Sequence, residues 1–220
     1  MRARGRVWLL DLDDTLHDAT TASFPHLHVA MGAYIERHLA LPPEEAAALR
    51  RRYWLRYGAT LLGLVRHHGV RPAHFLEETH RLPELEQRLR ASAHDVAALR
   101  RLPGRRVLVT NAPRAYALRV TQHLGLASAL DGVVAIEDMT MFGQPRPKPD
   151  ARMLRRLAVR LGVPPDRCTL VDDTLQHLKS ARSIGMRTVW MRRWHPRLRA
   201  GRPAYVCARI AALRTLLRSR

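Results

Sequence analysis

With 220 residues, 46% of them hydrophobic, the chain can bury one full-sized core, with or without a smaller inserted domain, and wholesale disorder is excluded. The net charge of +19, from 38 basic against 19 acidic residues, favours anionic partners such as phosphorylated metabolites, nucleic acids or acidic surfaces, and selects none of them. No apolar run nears the ~18 residues of a membrane span, and Val7-Trp8-Leu9-Leu10 is too short for a secretory leader, so a soluble, cytoplasmic protein is expected.

Val7–Leu10 reads as a strand buried on both faces, ending in Asp11. From about His17 to Ala98 strand signals vanish. Helical periodicity replaces them over Phe24–Leu39, Pro43–Arg56, Ala59–His68, Pro72–Thr79 and a shorter piece near Pro83–Leu89, punctuated by Pro42-Pro43, Gly58, Gly69 and Pro83. After Pro103-Gly104 strands and helices alternate. Val107–Thr110, Val133–Ile136 and Cys168–Val171 read as strands, as do Thr188–Met191 and Tyr205–Cys207. Between and after them Pro113–Leu124, Pro149–Leu161, Thr174–Ile184 and Ala208–Leu217 read as helices. Such alternation predicts a parallel, doubly wound α/β sheet with helices on both faces, interrupted by an all-helical insertion. The core is expected over 1–16 and 99–220, and the inserted domain over 17–98. The two cysteines, Cys168 and Cys207, sit in strand-like apolar runs and read as buried thiols.

Ligands of such sheets bind beyond the carboxyl ends of the strands. Four segments bring chemistry there. In Asp11-Leu12-Asp13-Asp14-Thr15 two carboxylates two residues apart follow a buried strand, where a divalent cation such as Mg²⁺ is the natural partner. A calcium loop would want Gly and Glu where Leu16 and Ala22 stand. Thr110-Asn111-Ala112-Pro113 offers a hydroxyl and free N–H groups at a helix start, which suits an anion. Arg146-Pro147-Lys148-Pro149 holds a lysine between two stiffening prolines. Asp172-Asp173 ends another buried strand opposite Asp11.

In this order the four segments resemble the haloacid dehalogenase superfamily, whose pattern is Asp-x-Asp-x-Thr, then Ser/Thr after a strand, then Lys, then an acidic pair. The resemblance covers residues 6–15 and 104–217. It implies a Rossmann-like core, Asp11 as nucleophile and Asp13 as general acid and base. Thr110 and Lys148 would hold the transferred phosphoryl group, with Asn111 as a substrate-binding residue beside them. Mg²⁺ would be held by Asp11, the carbonyl of Asp13, and Asp173, with Asp172, Thr15 and His177 in support. His177 stands where related enzymes carry Asp or Asn. It either replaces them by hydrogen bonding or is a helix-surface residue. The family's dehalogenases lack an acid two residues after the nucleophile, so Asp13 points to a phosphatase or, less favoured, a phosphomutase.

The helical stretch matches the position of the family's cap, and the 38 positions from Thr110 to Lys148 leave no room for a second one. Asp-Leu-Asp-Asp-Thr-Leu-His-Asp at 11–18, with the segment Tyr53–Val65, is similar to the pyrimidine 5′-nucleotidase branch. That similarity implies release of phosphate from a pyrimidine nucleoside monophosphate. Tyr57 and His67 are the candidate substrate contacts, while Tyr53, Trp54 and Leu61 equally suit the helical core. His26, His28, His74 and His80 show no ligand spacing with acids that suggests zinc.

Two alternatives stay open. One is a phosphatase of another small metabolite, such as phosphoglycolate or a sugar phosphate. The other is a nucleic-acid-binding protein using the C-terminal residues, where eleven Arg and one Lys follow the last acid, Asp173. The arginines are scattered at helical spacings, as on solvated helix faces, which favours the small-molecule readings.

Overall fold

The computed structural model describes residues 5–194 and 201–218. Six parallel strands form the sheet: β1 (Val7–Leu10), β2 (Arg105–Val109), β3 (Gly132–Val134), β6 (Cys168–Asp172), β7 (Arg187–Met191) and β8 (Ala208–Ile210). A two-stranded hairpin of β4 (Thr140–Met141) and β5 (Gln144–Pro145) stands apart from it. The strand order is β3-β2-β1-β6-β7-β8. β1 is therefore the point at which the winding reverses, and the crevice beyond its carboxyl end lies between β2 and β6.

Burial explains why these runs pair as they do. Val7, Leu9, Val107, Val109, Cys168 and Leu170 form one core with Met153, Leu154, Leu157, Leu178 and Ala181 of the helices Ala151–Arg160 and Leu175–Ser183. Trp8, Leu10 and Leu108, the alternate residues, are equally buried and turn to the opposite face. A sheet buried on both faces needs continuous apolar runs, which these strands supply. Gly104 lets β2 run beside β1, because a Cβ there would lie 2.2 Å from the Arg6 carbonyl oxygen, and its φ is +92°.

The chain divides into two compact units, 1–19 with 89–220, and 20–88. The division falls at 88/89 and not at 98/99, because the helix Ala93–Arg101 packs on the C-terminal turn Leu213–Arg218. Asp95 of that helix accepts the Leu213 N–H at 2.9 Å and pairs with Arg193.

The smaller unit is wholly helical, with the helices Phe24–Leu39, Pro43–Tyr57, Thr60–His68 and Pro72–Thr79 and the turn Leu85–Arg88. Gly58 and Gly69 end two of them in the left-handed region. Gly63 admits the Tyr53 ring so closely that a Cβ would sit 2.2 Å from it. Tyr53 and Leu61 are buried in this unit and Trp54 is exposed.

The C-terminal elements differ from expectation. Ala208–Ile210 is a strand, and Leu213–Arg218 is a short 3-10 turn in place of an α-helix over 208–217. Pairing with β7 in the register Met191↔Ile210 overrides the helix propensity of the Ala- and Leu-rich run. The strand expected at Tyr205–Cys207 begins only after it. Ile136 leaves β3 for a 3-10 turn over Ile136–Asp138. Both cysteines are free thiols, Cys168 buried and Cys207 half-buried. Arg197, Arg199 and Arg220 lie outside the described residues.

Candidate active site

Residues that follow β1, β2 and β6 meet at the carboxyl edge of the sheet. The Asp11 N–H extends the β1–β6 ladder by donating to the Val171 carbonyl at 3.0 Å, and the Thr110 N–H donates to the Val134 carbonyl at 3.0 Å. Strand pairing thus fixes where both side chains emerge.

Lys148 is the centre of the arrangement. It is 1% exposed, and its Nζ donates to Asp11 Oδ1 at 2.6 Å and to Asp172 Oδ2 at 2.8 Å. Asn111 clasps its backbone from both sides, donating from Nδ2 to the Lys148 carbonyl at 2.9 Å and accepting its N–H on Oδ1 at 3.0 Å. Asn111 therefore sets the lysine's position. Asp172 is also held by the Thr174 N–H at 2.9 Å and by His177 Nδ1 at 3.0 Å. His177 thus lies against the cluster and is no solvent-facing surface residue. Thr15 Oγ1 stands 3.5 Å from Asp11 Oδ2.

Charge is crowded here. Ligand atoms of Asp11, Asp172 and Asp173 lie within 4.8 Å of one another. Burial pushes Asp11 up to about 6, with Lys148 drawing it down and Asp172 pushing it further up. Burial works against the Lys148 charge, but Asp11 and Asp172 outweigh it and hold the ammonium above its ordinary value. Burial would raise Asp172 as well, yet His177 and Lys148 keep it well below the usual carboxylate range. Asp173 is driven up to about 9 by burial and then by Asp172, Asp11 and Asp14. One lysine does not neutralise this many carboxylates. An all-oxygen donor set with excess negative charge fits a hard divalent cation such as Mg²⁺.

Asp13 points elsewhere. Its Oδ1 accepts from the Tyr116 hydroxyl at 2.8 Å and lies 2.9 Å from His17 Nε2. The loop turns at Asp14, whose φ of +53° is one that Asp tolerates. His17 is fully buried and its Nδ1 has no hydrogen-bond partner among the described residues. The tautomer protonated on Nε2 suits this geometry, donating to Asp13 and leaving a bare lone pair on Nδ1. Both contacts fall on Oδ1, so Oδ2 is the oxygen available to carry a proton. His17 lies in the first motif, but Tyr116 carries no sequence signal beyond its place on a helix.

Thr110 is buried, and its Oγ1 accepts the Ala112 N–H at 3.0 Å, which leaves its own O–H to donate. The following helix is less open to an anion than expected, because its Arg114 N–H already donates to the Glu137 carboxylate at 3.0 Å. Tyr57 and His67 belong to the helical unit, where the Tyr57 hydroxyl lies 2.6 Å from His67 Nε2 and Arg56 and Arg66 flank the Tyr57 ring. Of the C-terminal arginines, Arg193 and Arg202 are engaged with Asp95 and with backbone carbonyls.

Among solved structures, a HAD phosphatase from Thermococcus onnurineus is 19% identical with a TM-score of 0.66, over 98% of this chain and 97% of that one. A HAD-family protein of Bacillus subtilis described with bound magnesium is 18% identical, TM-score 0.63, over 99% of each chain. An L-2-haloacid dehalogenase is 20% identical, TM-score 0.58, over 98% of this chain and 99% of that one. They share the fold. No helix among the described residues is long and apolar enough to cross a membrane. The family model for haloacid dehalogenase-like hydrolases matches residues 6–185, and the chain belongs to that family of hydrolases.

Proposed function

We propose that the protein is a Mg²⁺-dependent phosphomonoesterase acting through an aspartyl-phosphate, with pyrimidine nucleoside 5′-monophosphates as its substrates. The observation that carries this is Asp13, held on Oδ1 by Tyr116 and His17 with Oδ2 left for a proton. A departing halide needs no proton, whereas an alkoxide leaving phosphorus does. A positioned acid two residues from the nucleophile favours ester cleavage over dehalogenation.

In the first step the Asp11 carboxylate attacks phosphorus. The new Asp–O–P bond forms as the ester P–O bond breaks, and Asp13 gives its proton to the leaving oxygen. In the second, water attacks phosphorus and gives its proton to Asp13, releasing phosphate and restoring Asp11. Lys148 and the Thr110 hydroxyl hold the phosphoryl oxygens. Mg²⁺ would be held by Asp11, the Asp13 carbonyl and Asp173, and would supply charge neutralisation at the phosphoryl group. The nucleotide assignment rests on the 11–18 motif and the Tyr53–Val65 segment, with Tyr57 and His67 as base or ribose contacts.

The test is a release assay across nucleotides, sugar phosphates, phosphoglycolate and 2-haloacids. Inorganic phosphate from UMP and CMP above all others is the expected result. Halide release without phosphate release would overturn the reaction class, and preference for a sugar phosphate would overturn the substrate.

A further inference from the structure

The helical unit contains a second cluster of metal-type ligands, built from His38, His74 and Glu78. One ligand atom of each lies within 4.8 Å of the others. The expectation of no zinc-like spacing fails here, because His74 and Glu78 lie one turn apart on Pro72–Thr79 and His38 closes the trio from the end of Phe24–Leu39. We propose that these three side chains bind a divalent transition metal, zinc being the best match.

Distance is the first argument. A tetrahedral ion with bonds of roughly 2.0–2.1 Å sets its ligand atoms about 3.3 Å apart. His74 Nε2 to Glu78 Oε1 is 2.9 Å and His38 Nε2 to Glu78 Oε2 is 3.9 Å, on either side of that value. Both imidazoles thus reach the Glu78 carboxylate, one on each oxygen.

The support around them is the second. The Tyr34 hydroxyl is 3.0 Å from His74 Nδ1, so when Nε2 binds metal the ring proton sits on Nδ1 and donates to the tyrosine oxygen. The Tyr34 ring stacks on His38 at 4.1 Å and packs edge-on against Phe75 at 5.0 Å, tying the two helices together. Tyr34 is buried, while the side chains of His38, His74 and Glu78 are 37%, 36% and 26% exposed. That opening gives an ion its entry and leaves a fourth position to water.

Two imidazoles and one carboxylate suit zinc, cobalt or nickel and disfavour Mg²⁺, which prefers the all-oxygen cluster of the sheet edge. The competitor is Arg37, whose Nη2 lies 2.7 Å from Glu78 Oε2. Its side chain is largely exposed and can swing away, so it weakens the site without blocking it.

The test is a Co²⁺ titration of the full chain in saturating Mg²⁺, followed by visible absorption, with Zn²⁺ as competitor. Expected are the intense bands of a tetrahedral site at a stoichiometric addition, bleached by Zn²⁺. His38→Ala and His74→Ala, each checked for folding by circular dichroism, lose the bands. Tyr34→Phe weakens binding by about 10-fold, Arg37→Ala strengthens it, and Asp173→Asn leaves the bands intact. Absence of bands in the parent would overturn the site, as would bands that survive both histidine substitutions or vanish in Asp173→Asn.

Discussion

Two ion pairs of equal length show how differently the two units use charge. Lys148 and Asp172 meet at 2.8 Å at the sheet edge with both side chains fully buried. Arg81 and Glu77 also meet at 2.8 Å, in the helical unit, with side chains 70% and 68% exposed. Water screens the second pair, so it contributes about 0–1 kcal/mol. The first lies where desolvation is costly and every charge shifts its neighbours, as the raised Asp11 and Asp173 record. Charge at the sheet edge is therefore chemistry. Charge on the exposed helices is mostly solubility, except where side chains converge as His38, His74 and Glu78 do.

The largest effect should come from removing the cation proposed to balance the buried carboxylates. EDTA is expected to abolish phosphate release, and added Mg²⁺ to restore it. Full turnover in metal-free buffer would sink the proposed mechanism. Next comes Asp13→Asn, which removes the proposed proton donor and should lower kcat on alkyl phosphates by on the order of 10²–10⁴-fold. Loss on p-nitrophenyl phosphate should be smaller, since that leaving group needs little protonation. Equal losses on both esters would argue against acid catalysis by Asp13.

Lys148→Arg asks whether charge alone is enough. The chain carries 36 Arg and two Lys, Lys148 and Lys179, so a retained lysine suggests a demand of shape. Nζ lies between Asp11 and Asp172 at 2.6 and 2.8 Å with 1% exposure, which leaves no room for a planar guanidinium. Most of kcat/KM should be lost in Lys148→Arg and nearly none in Lys179→Arg, with thermal melts to check folding. Near-parental turnover of Lys148→Arg contradicts the geometric demand. The smallest effect is on the exposed pair: Arg81→Ala should change stability by no more than about 1 kcal/mol in urea melts. A loss of several kcal/mol would erase the contrast between the two regions.

Sequence made the site legible where backbone position dictates chemistry. Asp11, Thr110 and Asp172 stand at or just after strand ends, and apolar runs such as Val7–Leu10 announce those strands. What stayed hidden depends on contacts across the chain. Tyr116 reaches Asp13 over 103 positions, and Asn111 clasps Lys148 over 37. The sequence places Lys148 at the phosphoryl oxygens, and the structure adds Asp11 and Asp172 as its partners. Ala208–Ile210 was hidden for a related reason, since its local preference is helical and only the β7 edge makes it a strand. The β4–β5 hairpin left no apolar pattern, being two residues on each side. His38, His74 and Glu78 come together only once the two helices are packed.

The central claim is that Asp11 carries the phosphoryl group between the two steps. Acid-quenched enzyme taken during turnover of UMP, digested and analysed by mass spectrometry, tests it most directly. A phosphoryl group on the peptide containing Asp11, absent from Asp11→Asn and discharged by hydroxylamine, is the result expected. Steady turnover with that peptide never modified, or with the label on another side chain, would contradict it.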